Sequence, residues 1–581
     1  MTEYVELHCH SHFSLLDGAS SPEALVAQAQ ELGLSALALT DHDAVYGAIP
    51  FVEAAKASGI QPILGAELTL ADGAHLTLLV ENEIGWANLC TLITRARHHA
   101  DKGEAALPLE ALESHTTGLI ALSGCRQGHI PAALLRGDTA AAQTWARHYR
   151  DRFGPDNFWI ELQHHLRPDD DGLVADLADL AQVFELGIVT TNNVHYAQPD
   201  DHRLQDVLTG IRHHATLDEA AGWLRPNAEY HLKSAARMAR RFPAWPQALT
   251  NTRRIADRCQ FELRYGLQDL PAFPTPDGLS ALDYLAQLCD AALQNRSGDG
   301  DRARQQLDAE LRVIAQGHLA DYFLIVWDIV RFAREQHILC QGRGSAANSL
   351  VAYLLGISPV DPLQHDLVFE RFLSSERGLA PDIDVDFDAA RREEVIQYIY
   401  TRYGHQHAAM ACTYVTFRAR SALRDVGKTL GLPLDMLGQI ATQVDTRDGY
   451  ADELPDNATG ALLSELCQAI DGFPRHLGIH NGAFILTRQP ISTRMPVEPA
   501  TMPDRYVVQW DKDALERAGL VKIDILGLRM LSAIAEARET VGTLTGTTPD
   551  LNTLTFDDPA IYAMISGGDT VGVFQVESRA Q

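Results

Sequence analysis

Pro381-Asp382-Ile383-Asp384-Val385-Asp386-Phe387 sets three carboxylates two residues apart with apolar residues between them. Successive side chains of a strand point to opposite faces. Asp382, Asp384 and Asp386 therefore project one way, and Ile383, Val385 and Phe387 project the other way into a core. Three like charges on one face repel, and the row is tolerable where divalent cations sit between the carboxylates. Hard oxygen ligands of this kind suit Mg²⁺, with its retained waters and substrate phosphates, which is the chemistry of phosphoryl transfer. The competing reading is a solvated edge strand whose charges deter aggregation.

A second short strand is expected at Leu520-Val521-Lys522-Ile523-Asp524-Ile525-Leu526-Gly527, where Lys522 and Asp524 share one face and Val521, Ile523 and Ile525 the other. It offers a further carboxylate for the same ions. A third element is the loop Cys340-Gln341-Gly342-Arg343-Gly344-Ser345-Ala346-Ala347-Asn348-Ser349, followed by an apolar, helix-like run over residues 350–355. Small residues let backbone N–H groups approach a phosphate, and the N-terminus of the following helix favours its charge. No Gly-Lys-Ser/Thr follows, so this is not a Walker A loop, and a glycine pair before a helix also reads as a plain tight turn. Taken together, loop, acidic strand and lysine-bearing strand describe a site that grips a polyphosphate and its metals.

These blocks, with Phe369-Glu370-Arg371-Phe372-Leu373 and His476-Leu477-Gly478-Ile479-His480 in the same order, resemble the palm of bacterial C-family DNA polymerases. That family holds the alpha subunit of DNA polymerase III and its error-prone paralogue. The resemblance implies a palm of the polymerase beta-like nucleotidyltransferase type, with Asp384, Asp386 and Asp524 as the catalytic carboxylates that bind Mg²⁺. It places Gly344 and Ser345 on the incoming nucleotide triphosphate with Arg343 beside them; Lys522 is expected to offset developing charge.

The N-terminal third carries a separate constellation. Strand-like apolar runs end in potential metal ligands: residues 5–7 before His8 and His10, 36–39 before Asp41 and His42, 62–64 before Glu67. The pattern continues with residues 76–80 beside His75, 119–122 before Cys125, and 188–189 before Asn193 and His195. Helical signals lie between them, such as Ser21 as N-cap, Pro22 at the first helical position and a stop at Gly33. Alternating strands and helices predict a parallel sheet, and ligands gathered after strand C-terminal ends make a closed β/α barrel the economical architecture. His8 and His10, at i and i+2, share a strand face. This arrangement resembles the PHP phosphoesterase domain that opens C-family polymerases. The resemblance implies metal ligands at His8, His10, Asp17, His42, Glu67, His75, Cys125 and His195, for Zn²⁺ or Mn²⁺. Where the family pattern reads Asp-x-His, this chain reads Asn193-Val194-His195, and a neutral amide is a weaker ligand than a carboxylate. A full cluster, and with it 3′–5′ exonuclease activity, is not expected; a structural metal site is.

The 581-residue chain carries a formal charge of −29, so a nucleic-acid surface has to be local. Between residues 391 and 428 it places Arg391, Arg392, Arg402, Arg418, Arg420, Arg424 and Lys428 against Glu393, Glu394 and Asp425. Phosphate contacts are expected from Arg418, Arg420, Arg424 and Lys428; an ordinary solvated helix face is the alternative. No apolar run reaches membrane-spanning length and Met1-Thr2-Glu3-Tyr4 begins no signal peptide, so no membrane partner and a cytoplasmic location are expected. Eight cysteines without a CxxC pair argue against a zinc ribbon or disulfide framework. Residues 295–301 and 445–459 read as polar loops.

The expected organisation is α/β multidomain: a PHP barrel over 1–262, palm over 263–415, a helical thumb over 416–478, palm again over 479–530, and the start of the fingers over 531–581. By resemblance the chain ends inside a fingers motif, which predicts a fragment without the remaining fingers, helix-hairpin-helix and OB modules, or clamp peptide. The expected activity is template-directed DNA synthesis from dNTPs on a primer-template, in the error-prone, damage-tolerance form, with the sliding clamp and damage-tolerance proteins as partners. That form is implied by resemblance only, carried by the few residues between Glu67 and His75 and the wording Asp388-Ala389-Ala390-Arg391-Arg392-Glu393-Glu394-Val395-Ile396-Gln397-Tyr398. Three alternatives remain: a replicative alpha subunit, a PHP phosphoesterase or exonuclease, and a non-catalytic module that binds DNA or a partner.

Overall fold

Six short strands follow one another from the N-terminus: β1 (Ala36–Leu39), β2 (Gln61–Thr69), β3 (His75–Val80), β4 (Leu119–Leu122), β5 (Phe158–Leu162) and β6 (Gly187–Thr190), hydrogen-bonded in that order in a computed structural model. The model describes residues 3–263, 270–296, 300–373, 383–443, 458–551, 557–573 and 576; Pro381 and Asp382, most of 445–459 and the end at 577–581 lie outside them. Isolated bridges tie the first residues to both edges of the sheet, Glu6 to Leu37 of β1 and Cys9 to Val194 beyond β6, so the row of strands curls toward a barrel. Alternation does the rest: Val5 and Leu7 join a core with Ala36, Ala38, Ile63 and Ile120, while Glu6, His8 and His10 take the other parity and are fully buried.

The expected parallel sheet fails at one strand. β1–β2, β4–β5 and β5–β6 pair in parallel, but β3 is antiparallel to both neighbours. Only residues 70–74 join β2 to β3, with Gly73 at φ +84°, and a parallel crossover needs roughly a dozen residues or more. The reversal keeps His75, first residue of β3, at the end of the sheet where Glu67 lies near the end of β2. The first helix spans Pro22–Glu31, with Ser21 accepting from the amide of Ala24 and Gly33 at φ +71°, as its caps predict.

Seven further strands follow among the described residues: β7 (Cys340–Arg343), β8 (Asp384–Asp388), β9 (Ala408–Thr416), β10 (Pro474–Leu486), β11 (Val497–Pro499), β12 (Tyr506–Asp511) and β13 (Lys522–Leu528). Two compact units form. The first gathers Met1–Tyr265, Ala409–His480 and Gln489–Ala518; the second gathers Gly266–Ala408, Asn481–Arg488 and Gly519–Gln581.

Within the first unit the barrel is bonded to β11 and β12. Tyr46 donates to Glu498 (3.0 Å), Val45 N–H donates to the Gln509 side chain (2.9 Å), and Trp510 Nε1 donates to the Val45 carbonyl (3.1 Å). The helix His202–Arg212 buries Leu204, Val207 and Leu208 against Phe417, Leu423, Val426 and Leu463. A Cβ at Gly210 would lie 2.4 Å from Thr429 Cγ2, so only glycine allows this approach. In the second unit β13 pairs antiparallel with β10 and parallel with β8, and β8 pairs antiparallel with β7. Ile383, Val385 and Phe387 are fully buried, which anchors the acidic face opposite them.

Candidate functional site

Register decides the geometry of the second unit's acidic face. Asp384 of β8 stands opposite Asp524 of β13, and Arg343 of β7 stands opposite Asp384 on the other side. Asp386 lies two residues on, so Asp384, Asp386 and Asp524 face the same way as expected. The strand itself runs Asp384–Asp388, and its last carboxylate has a different job: Asp388 accepts from Ser532 Oγ (2.5 Å) and from the Ala390 amide (2.9 Å), capping the turn that follows.

Cations stand between these carboxylates. Arg343 reaches Asp384 (3.7 Å) and Asp386 (3.4 Å), and Lys522 Nζ lies 3.3 Å from Asp524. Lys522 and Asp524 are buried and Asp384 is half-buried. Burial raises the Asp386 carboxyl above its ordinary value against the opposing pull of Arg343. An all-oxygen set of carboxylates whose present neighbours are side-chain cations fits hard divalent ions.

The phosphate loop departs from expectation in one respect. Gly344, at φ +67°, and Ser345 open a short 3₁₀ turn, Gly344–Asn348, directly after Arg343. The helix behind it, Leu350–Leu354, already has an internal anion. Buried Glu310 accepts from Ser349 Oγ (2.8 Å) and from the amides of Leu350 (2.9 Å) and Val351 (3.1 Å). The expected role of this helix N-terminus toward a substrate phosphate is therefore corrected: a carboxylate of the chain satisfies those donors, and only the 344–348 turn is left to meet a phosphate. Glu310 could have been noticed, because it falls on the buried face of the helix Gly300–Gln316 with Ala303, Leu307 and Ile314.

In the first unit, eight of the nine residues expected around the barrel cluster bring their side chains together. Glu67 sits centrally, 3.4 Å from His8, 3.4 Å from His10, 3.3 Å from His42 and 3.4 Å from His75. Asp17 lies 3.3 Å from His42 and 3.1 Å from His195, and Cys125 Sγ is 3.4 Å from His75. Asn193 enters differently. Its carbonyl accepts from His195 Nδ1 (2.8 Å), while its side-chain oxygen is buried without a hydrogen bond. It also holds φ +43°, in the left-handed region that asparagine and aspartate tolerate better than other side chains.

The electrostatics separate these groups. Burial would raise Glu67, but His8, His75 and His42 hold it well below the ordinary range. Burial, then His42 and His195, push His10 well down; burial and Arg225 bring His195 to about 4. His10 and His195 thus take the neutral form that ligates a metal, whereas, against burial, Glu161 and Glu67 hold His8 well above its ordinary value and Glu67 and Cys125 bring His75 to about 11. His8 Nε2, His10 Nε2 and Glu67 Oε1 are buried without a hydrogen-bond partner and belong to one group of ligand atoms within 4.8 Å of each other, a donor set that fits a metal ion. Two neighbours were missed from the sequence. Glu161 bonds His8 Nδ1 at 2.7 Å and fixes that ring; its signal was a lone acid inside the apolar strand Phe158–Leu162. Arg225 donates to His195 Nε2, and nothing around it in the sequence marks it. A cavity of about 780 Å³ beside the cluster is lined by Asp17, His42, Arg97, Lys102, Arg212 and His476, among others.

The basic run divides. Arg391 pairs with Glu394 (2.8 Å), Arg392 donates to the Ile525 carbonyl (2.8 Å) and Arg402 lies 3.5 Å from Asp328, so these three serve contacts within the second unit. Arg418, Arg420, Arg424 and Lys428 are exposed on or beside the helix Ala419–Thr429. Arg420, Arg424 and Lys428 recur every four residues opposite buried Ala422, Leu423 and Val426, a continuous cationic line. Among the described residues no single helix is long and apolar enough to cross a membrane.

Three family models match the chain: the PHP domain over residues 6–165, the bacterial DNA polymerase III alpha NTPase domain over 283–527, and the bacterial DNA polymerase III alpha subunit finger domain over 530–581. Curated relatives called error-prone DNA polymerase align with all of it. They include proteins of Mycobacterium tuberculosis (strain ATCC 25618 / H37Rv), 44% identical over 594 residues with 54% of the relative covered, and Pseudomonas syringae pv. tomato, 42% identical over 594 residues with 56% covered. A Cutibacterium acnes relative is 42% identical over 603 residues with 52% covered. The chain thus spans about half the length of the curated relatives it matches. The PHP, alpha NTPase and finger models follow one another in this order along the chain, which is similar over its whole length to bacterial proteins called error-prone DNA polymerase.

Proposed function

We propose that this chain carries the catalytic palm of a DNA-directed DNA polymerase of the error-prone type, active in DNA damage tolerance. The observation that supports it most is the register that sets Asp384 opposite Asp524, with Asp386 beside them. Asp384, Asp386 and Asp524 hold divalent ions, Mg²⁺ in this reading. When bound, the ions supply activation of the primer 3′-hydroxyl and stabilisation of the leaving pyrophosphate. Arg343 and Lys522, which lie against these carboxylates, turn their charge to the triphosphate, and the turn at Gly344 and Ser345 offers amides to its oxygens. Primer-template DNA crosses the cationic line of Arg420, Arg424 and Lys428, with Arg418 at its head.

The domain reading is a PHP barrel over 1–262, palm over 263–415 and 479–530, thumb over 416–478 and fingers from 531. The barrel cluster binds Zn²⁺ or Mn²⁺ as a structural element and lacks 3′–5′ exonuclease activity, because Asn193 supplies an amide where a carboxylate is needed. Sliding clamp and damage-tolerance proteins are the proposed partners, in the cytoplasm.

The test is extension of a defined primer by the protein carrying this chain, with Mg²⁺ and all four dNTPs, on an undamaged template and on one with a single abasic site. Extension on both is expected. No extension on either contradicts the polymerase reading, and extension that halts at every lesion favours the replicative form.

A further inference from the structure

Arg225 occupies one side of the barrel cluster. Its guanidinium donates to His195 Nε2 and lies 3.5 Å from Asp17 Oδ1, with its carbon 4.6 Å from the centre of the Tyr230 ring. His195 has one orientation open to it. A carbonyl oxygen only accepts, so the 2.8 Å contact to the Asn193 carbonyl puts a proton on Nδ1, while Nε2 is shared between the Arg225 guanidinium and Asp17 Oδ2 at 3.1 Å. His195 groups here with His10 and His42, their ligand atoms within 4.8 Å of one another, and these imidazoles with the Asp17 carboxylate are what a cation on this side would use. The third neighbour, Asn193, brings no charge, so the one carboxylate here is matched by one guanidinium, and a divalent ion entering beside Arg225 meets like charge. The opposite side differs: His8 Nε2, His10 Nε2 and Glu67 Oε1 are buried without a hydrogen-bond partner, and these three residues group as ligands within 4.8 Å of one another.

We propose that Arg225 is a built-in cation that takes the place of a metal ion on the Asp17–His195 side of the barrel, so that divalent ions bind only on the Glu67 side. The proposal rests on reading the barrel cluster as a metal site, and Asn193, an amide without charge, leaves Asp17 as the carboxylate beside Arg225. The cation cannot be removed by chelation or deprotonated at working pH, so this half of the cluster stays closed whatever the metal supply.

The test counts ions. Metal-stripped protein carrying this chain is equilibrated with Zn²⁺, freed of excess, and measured by native mass spectrometry, which reads the count on folded molecules. Wild type is expected to hold at least one ion, and Arg225→Met one more than wild type; Arg225→Lys, which keeps the charge, should match wild type. Arg225→Gln, an uncharged donor to His195, is expected to show the same gain and stands in if the methionine variant does not fold. A wild-type count above zero that neither uncharged variant raises overturns the role of Arg225 alone. A count of zero in wild type and variants alike overturns the metal reading of the cluster together with it.

Discussion

Asp384 and Asp524 stand directly opposite each other on neighbouring parallel strands, although 140 positions separate them in the chain. Each strand buries its alternate residues, Ile383 and Val385 on one and Ile523 and Ile525 on the other, so neither carboxylate can turn away without dragging a packed strand with it. A one-residue slip of either strand would put its own carboxylate into the core. The site is thereby preorganised by packing, and the consequences can be measured.

Glu310 should behave as a structural carboxylate. Glu310→Ala strips the partner from Ser349 and from the amides of Leu350 and Val351 in a buried place, a loss of about 1–3 kcal/mol per orphaned group. A fall in the melting temperature of several degrees is expected. Burial raises its carboxyl despite the donors that pull it down, so the proton is held more tightly folded than unfolded. Its stabilising share is then complete below the ordinary carboxyl value of 4.5 and declines as pH rises through the elevated one. Melting curves across that range should show Glu310→Gln gaining on wild type as pH rises; a constant difference contradicts this.

DNA binding should be electrostatic and local to one helix. Replacing Arg420 and Arg424 by alanine should weaken affinity alike for unrelated sequences and flatten the salt dependence by about one unit of slope per lost phosphate contact. The same substitution at Arg402, which lies against Asp328, should leave the slope unchanged. Fluorescence anisotropy titrations at several salt concentrations measure both.

Chelation should loosen the barrel. An ion bound to the folded state alone at a hundred times its dissociation constant adds about 2.7 kcal/mol, so EDTA should lower the melting temperature and Zn²⁺ restore it. His8→Ala should abolish the response. No nuclease activity should appear or disappear with the metal; excision of a primer 3′ end that survives Asp384→Asn but not His8→Ala would contradict the inactive-barrel reading.

Much of this was legible because side-chain alternation is local information. The face shared by Asp384 and Asp386, the pair Lys522 and Asp524, the i, i+2 histidines and the Ser21–Pro22 helix start all follow from neighbours in sequence, and the structure keeps them. What escaped depends on long-range placement. β3 reverses because its connection is short, a matter of chain length that periodicity does not register. Glu310 shows in its own helix as an acid on the apolar face, but its target lies about forty residues on, and Arg225 arrives at His195 across thirty with no local pattern to announce it. The basic run between 391 and 428 looks uniform as text, yet Arg391, Arg392 and Arg402 are consumed by contacts of the second unit and the rest are exposed in the first.

The central claim is that Asp384, Asp386 and Asp524 form one catalytic set, and single-nucleotide incorporation by the protein carrying this chain tests it most directly. At saturating primer-template, dNTP and Mg²⁺, Asp384→Asn and Asp524→Asn should each lower the rate by well over a hundredfold while the melting temperature and DNA affinity stay near wild type. A tenfold loss is only about 1.4 kcal/mol of barrier, too little for an ion ligand in such a site. Rates within tenfold of wild type for either variant would contradict the assignment.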